Sequence, residues 1–133
     1  MITNPINISG KELEKSVEEF LVQNNFNFKR PKSKGKNIDF IVETTEGKLY
    51  IECKNQNTGG SVDEKLPYTV YKYVKKYEIN HMIIIQGKHV ISKGVEDCIK
   101  EMPNVTVDFY DFYSFCRFLD GKKIMGDLES CMN

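Results

Sequence analysis

The sequence predicts an α/β fold: a mixed central β-sheet flanked by helices, in the order α-β-β-β-α-β-α-β-α. Three observations carry this. "NIDFIVET" and "KLYIECK" are strand-like runs around the turn-like "TEGK", which reads as a hairpin. "HMIIIQG" is short and almost wholly apolar, the mark of a strand covered on both faces. The remaining stretches alternate between helical and strand-like apolar spacing.

The first helix is "SGKELEKSVEEFLVQNN". Ser9 and Glu12 have the S-x-x-E form of a capping box, and Leu13, Val17, Phe20 and Leu21 form an apolar stripe. "FNFKR" follows as a short alternating strand, then the hairpin. The segment "NQNTGGSVDEKLP" breaks the pattern with Gly59, Gly60 and Pro67. A second helix runs from about Pro67 to Tyr77, because proline suits a helix's first turn and not its interior. Within it Val70, Tyr71, Val74 and Tyr77 suit a core stripe, which assigns most of its tyrosines to packing and leaves Lys72, Lys75 and Lys76 outside. "SKGVEDCIKEM" is a helix, "NVTVDFY" a strand, and "DFYSFCRFL" a helix ending before Gly121. With no repeat, low-complexity tract or long linker, residues 1–133 read as a single domain.

Composition narrows the function classes. Hydrophobic residues at 40% and charged residues at 29% suit a soluble globular chain. No apolar run approaches the roughly 18–20 residues that span a bilayer, and the start lacks the basic and apolar regions of a signal peptide. The expectation is an intracellular, cytoplasmic protein with no membrane partner. Nineteen basic and nineteen acidic residues cancel, which argues against coating nucleic acid by bulk charge. A nucleic-acid enzyme whose acidic site takes up metal remains compatible. Cys53, Cys98, Cys116 and Cys131 form no C-x-x-C pair, and His81 and His89 are not beside them, so reduced structural thiols are expected rather than a zinc site. Cys53 should point into the core.

The chemistry-bearing pattern is acid-x-Lys, which occurs at Glu46/Lys48, Glu52/Lys54, Asp63/Lys65 and Asp120/Lys122. Chance alone gives about two or three such matches in a chain this charged. Only Glu52 and Lys54 lie on a strand whose alternate residues, Leu49, Ile51 and Cys53, are apolar. Side chains two apart on a strand share a face, roughly 6.6 Å from each other, which leaves room for a metal-bound water. Asp39 sits in the apolar run of the preceding strand, where a carboxylate is costly unless it meets a cation or hydrogen-bond donors. Hairpin pairing would bring it beside Glu52, making a hard oxygen site suited to Mg²⁺.

A helix carrying an acid, then Asp39, then Glu52-x-Lys54 on the next strand resembles the PD-(D/E)xK nuclease superfamily. The resemblance covers approximately residues 9–77, and the later strand–helix alternation suits the same restriction-endonuclease-like core. "NID" stands where the family often has "PD". The resemblance implies that Asp39 and Glu52 bind Mg²⁺, with Mn²⁺ able to substitute, and that the Cys53 carbonyl is a further ligand. Lys54 would orient or help deprotonate the attacking water. The family's helical acid falls on Glu14, with Glu12 and Glu18 as rivals. On a helical projection Glu14 lies about 70° from the centre of the apolar stripe, Glu18 about 110° and Glu12 about 130°. Gln56, two residues past the lysine, is a further polar site residue on this resemblance.

The run "KRPKSKGK" gathers Lys29, Arg30, Lys32, Lys34 and Lys36 with no acid among them, a pattern that could follow a phosphate backbone or form an ordinary basic loop. Lys65 and Lys72 are further DNA-contact candidates. The expectation is a Mg²⁺-dependent DNA endonuclease of restriction-endonuclease-like type, acting as a homodimer because duplex cleavage needs two cuts. A Holliday-junction resolvase or phage repair nuclease is the nearest alternative, and a non-catalytic DNA-binding domain on the same fold is the alternative from another class.

Overall fold

Apolar alternation and helical stripes resolve here into three layers. The computed structural model describes residues 10–54, 65–87 and 91–124. Its elements are α1 (Gly10–Gln23), β1 (Phe28–Lys29), β2 (Phe40–Thr44), β3 (Gly47–Lys54), α2 (Leu66–Tyr77), β4 (His81–Gln86), α3 (Lys93–Lys100), β5 (Thr106–Tyr110) and α4 (Phe112–Leu119). The sheet runs β1-β2-β3-β4-β5, following chain order. Its first two pairings are antiparallel and its last two parallel, so the sheet is mixed, and among the described residues the elements come in the expected order.

Each face of the sheet buries its own apolar cluster. Leu13, Val17 and Leu21 of α1 join Phe115 and Leu119 of α4 against Phe40, Val42, Leu49, Ile51, Ile83 and Ile85. On the other face Leu66, Val70 and Tyr73 of α2 and Ile99 of α3 cover Ile41, Tyr50, Met82, Ile84 and Val107. Met82 to Ile85 are fully buried, as a central strand covered by helices on both sides must be.

Local chemistry fixes the element ends. Gly47 takes φ +105° at the β2–β3 turn, a left-handed conformation that a glycine adopts without penalty. The Thr44 hydroxyl donates to the Gly47 carbonyl at 2.8 Å and accepts from the Glu46 amide at 3.1 Å, closing that turn. Pro67 stands in the first turn of α2, and Asp111 caps α4 by accepting from the Ser114 amide at 2.7 Å. The capping-box residue Ser9 lies outside the described residues.

Two expectations need correction. Asp39 is not in the strand: β2 begins at Phe40, and Asp39 sits in the bend that leads into it. The stripe of α2 is also phased differently, because Tyr73 is buried at 3% exposure while Tyr71 is 50% exposed. Val70, Tyr73, Val74 and Tyr77 keep the regular i, i+3, i+4, i+7 spacing, whereas Tyr71 is about 100° away from Val70 and faces water.

Candidate active site

The register Phe40↔Ile51 in the antiparallel β2–β3 pair sets Asp39 across from Glu52. The Asp39 amide donates to Glu52 Oε1 at 3.3 Å, and the Cys53 amide donates to Asp39 Oδ2 at 2.8 Å. Each carboxylate is thereby held by backbone next to the other. Glu52 is 4% exposed and is the only buried charged side chain among the described residues. The hydroxyl of Tyr73 lies 3.5 Å from Glu52 Oε2 and donates to the Asn37 carbonyl at 3.0 Å, so α2 roofs the acid with a polar atom rather than a methyl group.

The two acids share one electrostatic problem. Burial above all, then repulsion from Asp39, pushes the Glu52 carboxyl up to about 8, while Lys54 and Lys36 pull it back. Burial likewise raises Asp39, opposed by the Cys53 amide and reinforced by the charge of Glu14. Two neighbouring carboxyls that both resist ionisation mark a place short of positive charge. A divalent cation would supply it. Among the described residues no group of three or more His, Cys, Asp or Glu side chains forms a fuller ligand set. Two carboxylates suffice for Mg²⁺, which keeps several of its waters and uses substrate phosphate for the rest, so the residues present fit that ion.

Lys54 ends β3, half-buried, and its ammonium is among the charges that favour ionised Glu52. Its carbonyl accepts from the Gly87 amide at 2.9 Å, which ties the end of β3 to the segment just after β4. Cys53 is on the opposite face, packed against the α1–α4 cluster as a free thiol, and burial raises it well above an ordinary thiol.

Of the helical acids, Glu14 and Glu18 both turn toward this end of the sheet, and Arg30 is the reason. Its guanidinium bonds Glu14 Oε1 at 2.5 Å and Glu18 Oε1 at 3.1 Å, and reaches the Asp39 carbonyl at 3.4 Å. It also stacks 4.4 Å from the centre of the Phe40 ring. Glu14 is the one whose charge is felt at Asp39, while Glu12 is exposed. Arg30, one of the basic run that could follow a phosphate backbone or form an ordinary loop, has its guanidinium turned onto α1, where two carboxylates and a ring engage it. Replacing Arg30 by alanine is expected to cost about 1–2 kcal/mol of stability, much of it from lost stacking and packing rather than from half-exposed ion pairs. Thermal melts check this; an unchanged Tm would show that the contacts contribute nothing.

The remaining sequence candidates are scattered over two clefts and the surface. Lys32 lines a cleft of about 350 Å³ with Glu18, Arg30, Asn37 and Asp39. Lys34, Lys36 and Lys72 line a larger one. Lys29 and Lys65 are exposed. Gln56, the glycines at 59 and 60, Asp63 and His89 lie outside the described residues. Two of the other acid-x-Lys matches neutralise each other: Lys122 Nζ meets Glu46 Oε2 at 2.6 Å. Sequence reasoning missed Asn37 and the buried role of Tyr73. The regular spacing of Tyr73 with Val70 and Tyr77 was the available signal for the second; nothing in "KNID" marks the first.

A family profile described as a PD-(D/E)XK nuclease superfamily domain matches residues 6–113. No curated protein matches the sequence. Among solved structures, the CdiA-CT/CdiI toxin and immunity complex from Burkholderia pseudomallei aligns with a TM-score of 0.43 and 14% identity, covering 84% of this chain and 87% of that one. SfsA of Pyrococcus furiosus, solved in complex with Ca²⁺, aligns with a TM-score of 0.39 and 14% identity over 86% of this chain and 60% of its own. AF1548, a protein of unknown function, gives a TM-score of 0.43 and 17% identity over 72% of this chain, which spans 55% of AF1548's length. The profile encloses Asp39, Glu52 and Lys54 together with all five strands of the sheet, and the chain belongs to the PD-(D/E)XK nuclease superfamily.

Proposed function

We propose that this chain is a Mg²⁺-dependent DNA endonuclease that hydrolyses phosphodiester bonds at the Asp39–Glu52–Lys54 corner. One observation carries the reading: Glu52, a buried carboxylate, faces Asp39 across the hairpin, and burial above all holds both carboxyls back from ionising, a cost that a bound cation would relieve. Asp39 and Glu52 would hold the ion, with the Cys53 carbonyl beside them and Glu14 within electrostatic reach. When bound, the ion supplies Lewis-acid polarisation of a phosphoryl oxygen and lowers the pKa of water. The chain's own residues do the rest. The Asp39 and Cys53 amides fix the two carboxylates in place, and Tyr73 limits the rotation of Glu52. The Lys54 ammonium orients the attacking water and stabilises the negative charge that grows on phosphate.

A duplex requires two cuts, and a homodimer with one site per chain would provide them. The test is incubation with Mg²⁺ and linear duplex, single-stranded, flapped and four-way-junction DNA, each repeated in EDTA. The expected result is Mg²⁺-dependent products from at least one substrate, with the product pattern separating restriction-like from resolvase-like action. No products from any of the four, with Mg²⁺ or Mn²⁺, would overturn the reading and favour a binding domain. Among the described residues no helix is long and apolar enough to cross a membrane.

A further inference from the structure

The solvent face of α2 carries a surface that the hydrolytic corner does not use. Tyr68, Tyr71, Lys72, Lys75 and Lys76 follow the spacing i, i+3, i+4, i+7, i+8 and form one continuous stripe. Tyr68 is 66% exposed and Tyr71 50%, two large rings in water one turn apart. Lys72 Nζ lies 5.2 Å from the centre of the Tyr68 ring, and Lys75 Nζ 5.6 Å from that of Tyr71. Each ring therefore has an ammonium beside it.

The basic loop supplies the opposite wall. Lys76 Nζ donates to the Ser33 hydroxyl at 3.2 Å, the Lys36 carbonyl at 3.2 Å and Asn37 Oδ1 at 3.0 Å. All three of its protons are used in holding the loop to α2. Asn37 donates back to the Ser33 and Gly35 carbonyls at 2.8 and 3.2 Å, so the loop has a defined shape. Between loop and helix lies a cleft of about 640 Å³ whose lining, among the described residues, is mostly lysines and tyrosines with no acidic side chain. Its inner wall includes Tyr73, whose hydroxyl also touches Glu52, so the cleft runs up to the proposed site.

We propose that this cleft binds an unpaired DNA strand, its bases stacking on Tyr68 and Tyr71 and its phosphates pairing with Lys34, Lys36, Lys72 and Lys75. Lysines alone would suit any polyanion. Exposed rings paired with ammoniums distinguish between substrates, because a duplex hides its base faces inside its own stack while a single strand offers them. The proposal rests on the nuclease reading and narrows it to substrates with a single-stranded segment. One site per molecule is then enough for a cut.

The test is fluorescence anisotropy in EDTA, where nothing is cleaved, with labelled oligothymidylate and a labelled blunt duplex as probes. The unaltered protein is expected to bind oligothymidylate more tightly than the duplex. Tyr68→Ala and Tyr71→Ala should each weaken oligothymidylate binding roughly tenfold and leave the duplex within about twofold. Tyr→Phe at both positions should retain most of the binding, because stacking needs the ring and not the hydroxyl. Lys72→Gln with Lys75→Gln should weaken both probes and flatten the salt dependence. Both tyrosines are on the surface, so Tm should be unchanged in every variant. Equal loss for both probes, no loss on Tyr68→Ala with Tyr71→Ala combined, or no binding of oligothymidylate at all would overturn the proposal. Because anisotropy in EDTA is independent of turnover, such a result leaves the Mg²⁺ cleavage test to stand or fall separately.

Discussion

Replacing Glu52 by glutamine is expected to make the metal-free protein more stable at pH 8, although it removes an acid from the proposed site. Burial and Asp39 hold the Glu52 carboxyl at about 8, against 4.5 for a free glutamate. At pH 4 both folded and unfolded chains keep the proton, and the residue exacts no penalty. Between about pH 4.5 and 8 the unfolded chain releases the proton while the folded chain holds it, so stability drains away as pH rises. Above 8 the loss is complete. Glutamine never titrates, yet its carbonyl can still accept from the Asp39 amide and its shape is nearly the same. The gap in EDTA should therefore open from near zero at pH 4 to about 2–4 kcal/mol at pH 8, allowing for the sharing of one proton between coupled acids. Adding Mg²⁺ should narrow it, because the ion stabilises only the chain with both carboxylates. Thermal melts of both proteins from pH 4 to 9 decide the matter. A glutamine variant less stable at pH 8, or a gap that ignores pH, would show that Glu52 is not a destabilised acid.

The second large effect concerns turnover. Asp39→Asn and Lys54→Ala should each reduce DNA cleavage by about a thousandfold or more, the scale on which removal of a metal ligand or a charge-stabilising group acts. They should differ in how they fail. Asp39→Asn should also lose the rise in Tm on adding Mg²⁺ or Mn²⁺, while Lys54→Ala should keep that rise and still bind DNA. Lys122→Ala, from another acid-x-Lys match, should cut normally, since Lys122 is engaged with Glu46 at 2.6 Å. If Lys54→Ala cuts at the parental rate, the lysine's assignment is wrong; if Asp39→Asn keeps both properties, the metal corner itself is wrong.

The sheet and its helices were legible because strands and helices carry different apolar periods, and both were strong here. "HMIIIQG" could only be a strand covered on both faces, and β4 is one. The acid pair was legible for a related reason: an acid inside "NIDFIV" is anomalous, and hairpin pairing says what it should meet. What periodicity could not supply was the direction of long side chains. Arg30 looked like its basic neighbours until the carboxylates of Glu14 and Glu18 and the Phe40 ring came within its reach, all of them distant along the chain. The loop anchor Asn37 was illegible for the same reason, since its partners include Lys76 and Tyr77 from α2. The phase of α2 was legible and misread. Tyr71, one residue past Val70, falls about 100° from it, while Tyr73, three residues past, keeps the 3.6-residue period and is buried.

The turn at Gly47 has a further consequence. Surface turns ordinarily tolerate insertions and deletions, because nothing beyond them depends on their length. This one counts residues. A slip of one position would put Asp39 against Ile51 or Cys53 and send alternate side chains to the wrong faces of the sheet. Thr45 and Glu46, two solvent-exposed residues, are therefore constrained in number even where their identity is free, because that number sets the alignment of the acids.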